Sequence, residues 1–363
     1  MIRHLSIKGF KRFQDERFEL RSLTVLAGRN GTGKTSTIHA LLLARHATQR
    51  ADNIAELNGP FGLELGWFDD VINVNADKSF SVALEDHADG SAVWTFIAGN
   101  TELYAKVSLP RKLPKIFSPA VARGFQYLSA ERIGPRITQK AAALPQELLE
   151  IGSSGQHIAQ VLEKLGRQIV PISRRTDKAD PEEFSSVKAQ TERWLSRIVR
   201  NIQLDTSIFP GTDVLSLRFR NDGASPWVRP TNMGFGISYS LPIITAAMTA
   251  PENALLIVEN PEAHLHPAGQ SEIGIFLTRM AAAGLQIIVE THSDHVLNGI
   301  RRAIGESKTL PADDAIVHYF SDGEAPIQPL TFTPTGGISQ WPLGFFDQYQ
   351  LDIANISRIR RPR

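Results

Sequence analysis

Apolar and polar positions alternate at the start of the chain. Ile2, Leu5 and Ile7 flank Lys8, and Phe18 and Leu20 follow a polar break, a period of two that predicts a hairpin. Leu23-Thr24-Val25-Leu26-Ala27 is a continuous apolar run expected to form a buried strand, and Ile38, Leu41, Leu42 and Leu43 predict an amphipathic helix over 35–47. Strand-like runs at 71–74, 80–84 and 92–97, with turn signals at Ala88-Asp89-Gly90 and Gly99-Asn100, predict an antiparallel layer within 59–109. A further strand is expected at 125–128, leaving through the polar loop 129–136.

From Gln139 to Asn201 the period becomes helical. Ile158, Val161, Leu162, Leu165 and Ile169 mark one face, and Val187, Thr191, Trp194, Leu195 and Ile198 another. Asp180-Pro181-Glu182-Glu183 carries the cap, proline and acids of a helix start. Strands are then expected at 204–209 and 214–220, a helix from the 232–238 region through Ala250, and apolar strands at 254–258 and 285–289. The last strand candidate, 316–320, precedes an Asp322-Gly323 turn and the aromatic stretch Trp341-Pro342-Leu343-Gly344-Phe345-Phe346-Asp347.

Between the first buried strand and its helix lies Gly28-Arg29-Asn30-Gly31-Thr32-Gly33-Lys34-Thr35-Ser36, which fills every fixed position of the P-loop spacing. The glycines let backbone N–H groups from Asn30, Gly31 and Gly33 through Ser36 wrap a phosphate. Lys34 neutralises its charge, and the Thr35 hydroxyl faces Mg2+. ATP with Mg2+ is therefore the expected cofactor. Glu259, at the end of the strand over 254–258, is the second expected Mg2+ partner, because an acid there can hold the metal's shell. Gly234, Gly236 and Ser238 open a helix and form a second anion-binding end. Phe10 and Phe13 stand near the expected place of an adenine but are read as core aromatics, and Arg174, Arg175 and Lys178 as a solvated turn.

Composition narrows the classes further. The 363 residues are 42% apolar and 21% charged, with 39 Lys and Arg against 38 Asp and Glu, so bulk charge demands neither nucleic acid nor an acidic membrane. Without cysteine the chain has no disulfide, zinc-finger, iron–sulfur or thiol chemistry. No apolar leader or span-length run is present, so a soluble cytoplasmic protein without a membrane partner is expected. The basic end from Arg358 to Arg363 is read as a frayed terminus.

With these strand ends in place, the chain resembles the ABC-type ATPases of the SMC, RecF and OLD lineage. Gly28 to Thr35 resembles Walker A, Leu255 to Glu259 Walker B, Ala263 to His266 the D-loop, and His292 within Glu290-Thr291-His292-Ser293 the switch histidine. The wording from Glu259 to Pro267 and the Trp341–Asp347 stretch resemble a narrower group of prokaryotic ATPases of the AAA designation. These carry a C-terminal domain of unknown function, and several are linked to phage defence. The resemblance implies an α/β P-loop NTPase fold of ABC-ATPase type, a parallel-sheet core with an antiparallel β layer and an inserted helical lobe. It divides the chain into a first core part over 1–136, the lobe over 137–203, a second core part over 204–305 and a C-terminal extension over 306–363.

The implied activity is ATP hydrolysis by a homodimer that sandwiches nucleotide, with Ser238 and its helix end meeting the γ-phosphate bound to the other subunit. A partner effector protein or DNA is the implied output. Two departures matter. The signature is not Leu-Ser-Gly-Gly-Gln, which argues against a transporter subunit. Asn260 follows Glu259 where many relatives place a catalytic Glu, and asparagine orients water without taking its proton. Glu262 is the alternative base; otherwise hydrolysis is slow, or the chain is a nucleotide-locked scaffold. No separate nuclease domain is expected. A metal hydrolase built on His264, His266, His292 and His295 is disfavoured because the spacing is not a ligand signature.

Overall fold

The computed structural model describes residues 1–86, 90–98, 103–118, 120–179, 181–321 and 325–359. The turn signals at residues 88–89, 99–100 and 322–323, the cap at Asp180 and the end from Arg360 lie outside the described residues. In chain order the elements are β1 (Ile2–Phe10), β2 (Phe13–Glu19), β3 (Leu23–Gly28), α1 (Lys34–Gln49), β4 (Ile54–Glu56), α2 (Phe68–Val71), β5 (Ser79–Asp86), β6 (Gly90–Ala98), β7 (Tyr104–Ser108) and β8 (Phe125–Leu128). They continue as β9 (Thr138–Lys140), α3 (Ile158–Leu165), α4 (Val187–Ile198), β10 (Gln203–Ile208), β11 (Val214–Arg220), α5 (Phe235–Thr249), β12 (Leu255–Glu259) and α6 (Pro267–Ala282). The chain closes with β13 (Gln286–Thr291), α7 (Asp294–Gly305), β14 (Ala315–Phe320), β15 (Gln328–Thr331) and α8 (Gln348–Ile359).

One six-stranded sheet has the order β15-β14-β3-β13-β12-β8, parallel except at the β15 edge. Its inner strands are apolar throughout because both faces are covered. Alternate residues divide between two cores. Val25, Leu256, Val258, Ile287 and Val289 pack on the side of α5, α6, α7 and the 137–220 segment. Leu26, Leu255, Ile257 and Ile288 pack on the side of α1 and a second, antiparallel sheet, β2-β1-β5-β6-β7-β4. The molecule is thus layered as the ABC-type P-loop expectation requires. Buried Gln286 joins the two sheets: its Oε1 accepts from Ile2 N at 2.9 Å and its Nε2 donates to Ile2 O at 2.6 Å.

The segment from Gln139 begins not as helix but as β9, paired with β11 in a three-stranded sheet of order β10-β11-β9, and its α-helix among the described residues is α3 and α4. Three further local expectations are corrected. The run at 71–74 is no strand: Val71 ends α2, Ile72 makes one bridge to Phe10, and Val74 is exposed. The Pro181 signal yields only a turn of 3-10 helix at Glu182–Phe184, because the chain is drawn into extended pairing where Val170 N donates to Ser185 O and Val187 N to Gln168 O. The helix starts later, capped by the Ser186 hydroxyl, and Ile169 lies past the end of α3 and is exposed. Arg174 is the third. Instead of a solvated turn it is 1% exposed, with its guanidinium on the carbonyls of Ala247, Ala250 and Pro251, where it caps the C-terminus of α5.

Candidate functional site

The parallel strands β3, β12 and β13 end side by side, and the candidate residues gather at those ends. Gly28 turns the chain out of β3 with φ +139°, and a Cβ there would lie 2.1 Å from Phe320 O, so only glycine fits. Gly33 begins α1 at φ +101°, with no side-chain cap and no acid in the first turn, which leaves the positive helix end bare. Asn30 and Gly31 are exposed, and Ser36 is half-buried in the first turn. Arg12, from the β1–β2 turn, clamps the loop through Thr32 O. The Lys34 ammonium is buried and turned back on the loop, donating to Gly28 O at 3.0 Å and Arg29 O at 2.6 Å.

Three carboxylates approach this loop. Glu259 ends β12 with both oxygens engaged, by the Tyr127 hydroxyl at 3.1 Å and by Ala130 N at 3.0 Å. Glu262 accepts from Thr291 Oγ1 and from His292 N, each at 2.8 Å. Glu290 pairs in register with Glu259 across β12 and β13 and meets the Thr35 hydroxyl at 3.0 Å from both oxygens. Burial raises the pKa of all three. Glu290 is pushed up to about 7, first by burial and then by Glu259, with Lys34 opposing. The Lys34 ammonium is in turn held below its ordinary value by burial.

Asn260 adopts a left-handed conformation, φ +43°, and its buried Oδ1 has no hydrogen-bond partner. Arg132 lies beneath it, donating to the carbonyls of Ser129, Glu259 and Asn260 and resting on the Tyr239 ring. The His292 Nε2 is 4.0 Å from Glu290, and burial, then Lys34, lowers its pKa. Gly234 caps α5 from an exposed position, Gly236 is buried with room for no Cβ against His264 O, and Ser238 is the fourth helical residue, half-buried. The D-loop and α5 therefore form one surface, where His264 packs on Phe235 and Tyr239.

Lys34, Thr35, Glu259, Glu262 and His292 thus meet at the strand ends, while Ser238 and its glycines belong to the neighbouring helix end. The residues fit a nucleotide with a divalent cation, because a threonine hydroxyl and buried acids converge beside an uncapped helix N-terminus. The charged loop 129–136 reads in sequence as a site edge, and Arg132 lies in it; Glu290 and Tyr127 are not named as site residues by the sequence reading. An acid closing an apolar strand was a signal for Glu290, whereas the roles of Arg132 and Tyr127 depend on pairing that local sequence does not reveal. The other histidines go elsewhere: His266 caps α6 and His295 lies near Asp294. Among the described residues no group of three or more His, Cys, Asp or Glu could hold a metal on its own. Phe10 and Phe13 are buried core rings.

Clefts lie on both sides of the P-loop. One of about 660 Å³ runs between Gly28–Asn30, His292 and the 343–351 segment, which is anchored by buried Phe345 against Tyr319. The other, about 510 Å³, lies between the β1–β2 turn, Gly31 and Asn73. Among the described residues no helix is long and apolar enough to cross a membrane.

Comparison with known proteins bears on the same segments. A family model described as "AAA ATPase domain" matches residues 1–90, one described as "AAA domain, putative AbiEii toxin, Type IV TA system" matches 129–298, and "Protein of unknown function (DUF3696)" matches 310–356. The fold is similar to an Smc head crystallised with the C-winged helix domain of ScpA: TM-score 0.59, 12% identity, 92% of this chain and 97% of that one. It is also similar to an Smc head with an extended coiled coil bound to the C-terminal domain of ScpA from Pyrococcus furiosus, with TM-score 0.55, 13% identity and 99% of each chain covered. Curated proteins offer no match.

Proposed function

We propose that this chain, an ABC-type P-loop ATPase of the SMC, RecF and OLD type, is a slow ATPase head that dimerises around nucleotide and controls a partner effector. The observation that supports this most directly is the meeting of Lys34 and Thr35 with three acids and His292 at the ends of parallel strands. Lys34 exchanges its bonds to Gly28 O and Arg29 O for phosphate oxygens, and the α1 end and loop amides take the rest of the charge. Mg2+, when bound, would be held by Thr35 and the strand-end acids and would neutralise developing charge on the phosphates.

The position directly after Glu259 carries no general base. Asn260 cannot take a proton, and both oxygens of Glu262 are engaged, which supports slow turnover. The exposed α5 end at Gly234, packed on the D-loop, is the surface proposed to reach nucleotide on a second copy. Light scattering with and without ATP and Mg2+ tests the dimer. A dimer that forms only with nucleotide and is lost in Ser238→Arg supports the sandwich, and an oligomeric state indifferent to both refutes it. Steady-state phosphate release tests hydrolysis.

A role in prokaryotic phage defence is part of this proposal and rests on the resemblance of the Glu259–Pro267 wording and the Trp341–Asp347 stretch to defence-linked ATPases. Plaque formation on cells expressing the parent or Lys34→Ala with its neighbouring genes tests it; equal plating would count against it. The second reading, a nucleotide-locked scaffold, is favoured by Asn260 alone. One phosphate released per subunit, with no further turnover, would select it.

A further inference from the structure

Three acids surround the P-loop, but they do not offer equal coordination. Glu259, in the Walker B place, has one oxygen on the Tyr127 hydroxyl and the other on Ala130 N, and so is turned toward β8. Glu262 is likewise held at both oxygens, by Thr291 and by the His292 amide. Glu290 differs. Both of its oxygens lie 3.0 Å from the Thr35 hydroxyl, which has a single proton and can serve only one of them. A 5% to 7% exposed pair of carboxylates in register, Glu259 and Glu290, thus includes one oxygen with lone pairs and no donor, aimed at the P-loop threonine.

A buried carboxylate oxygen without a donor is costly unless a proton or a cation meets it, and a proton there is one that an arriving divalent cation can displace. His292 supplies neither, since its Nε2 is 4.0 Å away, beyond hydrogen-bond reach. Lys34 Nζ gives two of its three hydrogens to Gly28 O and Arg29 O and acts on Glu290 through space, with no hydrogen bond between them. We infer that Glu290 is the carboxylate that faces the divalent cation in the nucleotide-bound protein, with Glu259 holding the wall behind it through Tyr127 and Ala130. This inference rests on the nucleotide-binding reading above. It adds that the strand bearing the switch histidine, and not the Walker B strand alone, supplies the metal's acid.

The test is Mn2+ affinity, read from the electron paramagnetic resonance of free Mn2+ in the presence of a non-hydrolysable ATP analogue. Affinity for a fluorescent ATP analogue in EDTA is measured in parallel. Glu290→Gln, which preserves shape and a hydrogen bond from Thr35, is expected to weaken Mn2+ about tenfold or more while leaving metal-free nucleotide affinity at the parent level. A loss of less than threefold in Glu290→Gln overturns the inference and leaves Glu290 as a partner of Thr35 in the empty protein. Should the amide variant fail to fold, the same titration on Glu290→Asp decides: weakening supports the inference, and parent-level Mn2+ affinity overturns it. A parent that binds no nucleotide in either condition would instead defeat the nucleotide-binding reading, a distinct result.

Discussion

Asn260→Glu is the most informative single change, because it puts a carboxylate at the position where the resemblance expects a catalytic Glu, while loading a cluster that already holds three acids. Two structural costs can be worked out. Asn260 sits at φ +43°, a conformation asparagine tolerates and glutamate adopts at about 1 kcal/mol. The new carboxylate also joins Glu259, Glu262 and Glu290, all with pKa values raised by burial. One like charge at ~5 Å and an effective dielectric of about 20 opposes it by roughly 3 kcal/mol. Arg132, already donating to Glu259 O and Asn260 O, offsets part of this. A stability loss of roughly 2–4 kcal/mol is therefore expected in urea unfolding. Against it stands general-base help of about 10²–10⁴ in rate, so phosphate release at saturating ATP and Mg2+ should rise by roughly 10–100-fold. A folded variant that binds ATP like the parent and turns over no faster refutes the view of Asn260 as a lost base. A parent that is fast and indifferent to Glu262→Gln refutes the wider claim that the missing base limits the rate.

Lys34→Ala should abolish nucleotide binding, since Lys34 is the buried ammonium on the loop; unchanged fluorescence titration would remove the basis for ATP chemistry here. Arg174→Ala strips the three carbonyls ending α5 of their donor and should lower stability by roughly 3–5 kcal/mol in urea unfolding, with ATP affinity preserved at whatever fraction remains folded. Stability should also depend on pH through Glu290. The folded protein keeps its proton to about pH 7, whereas an ordinary glutamate releases it near 4.5. The resulting stabilisation, at most about 3 kcal/mol, is fully present below the lower value and is lost as pH rises through the upper one. Melting temperatures recorded across that window should fall in the parent and fall less steeply in Glu290→Gln, where Glu259 and Glu262 still contribute; a parent curve that rises would contradict the sign.

Much of the architecture was legible because its signals are local. The P-loop, the apolar strands β3, β12 and β13, and helix α5 each carry their own period and punctuation. Arg174 escaped detection because its partners lie 73 to 77 residues further along the chain, and a charged side chain looks the same in sequence whether solvated or capping a buried helix end. The Pro181 start failed for a related reason: pairing with Gln168 and Val170 outweighed a favourable local cap. At the site, His292 carries a local motif signal, whereas Glu290, two residues before it, does not. The importance of Glu290 depends on the register of β13 against β12 and on Thr35, 255 residues away. Strand and helix periods do not encode such distances.

The amide of Gln286 has a mechanical consequence. It fastens the first residue of β1 to the first residue of β13, and the far ends of those strands lead to Arg12, clamped on the P-loop, and to Glu290 and His292. The two strands, ~20–30 Å long, are thus tied at their starts while their far ends stand at opposite sides of the P-loop site. A push on the loop at one tip is resisted at the other unless the tie gives. Loading and unloading of the pocket would then be transmitted as rotation of a braced frame, and whatever grips its outer faces would feel torque.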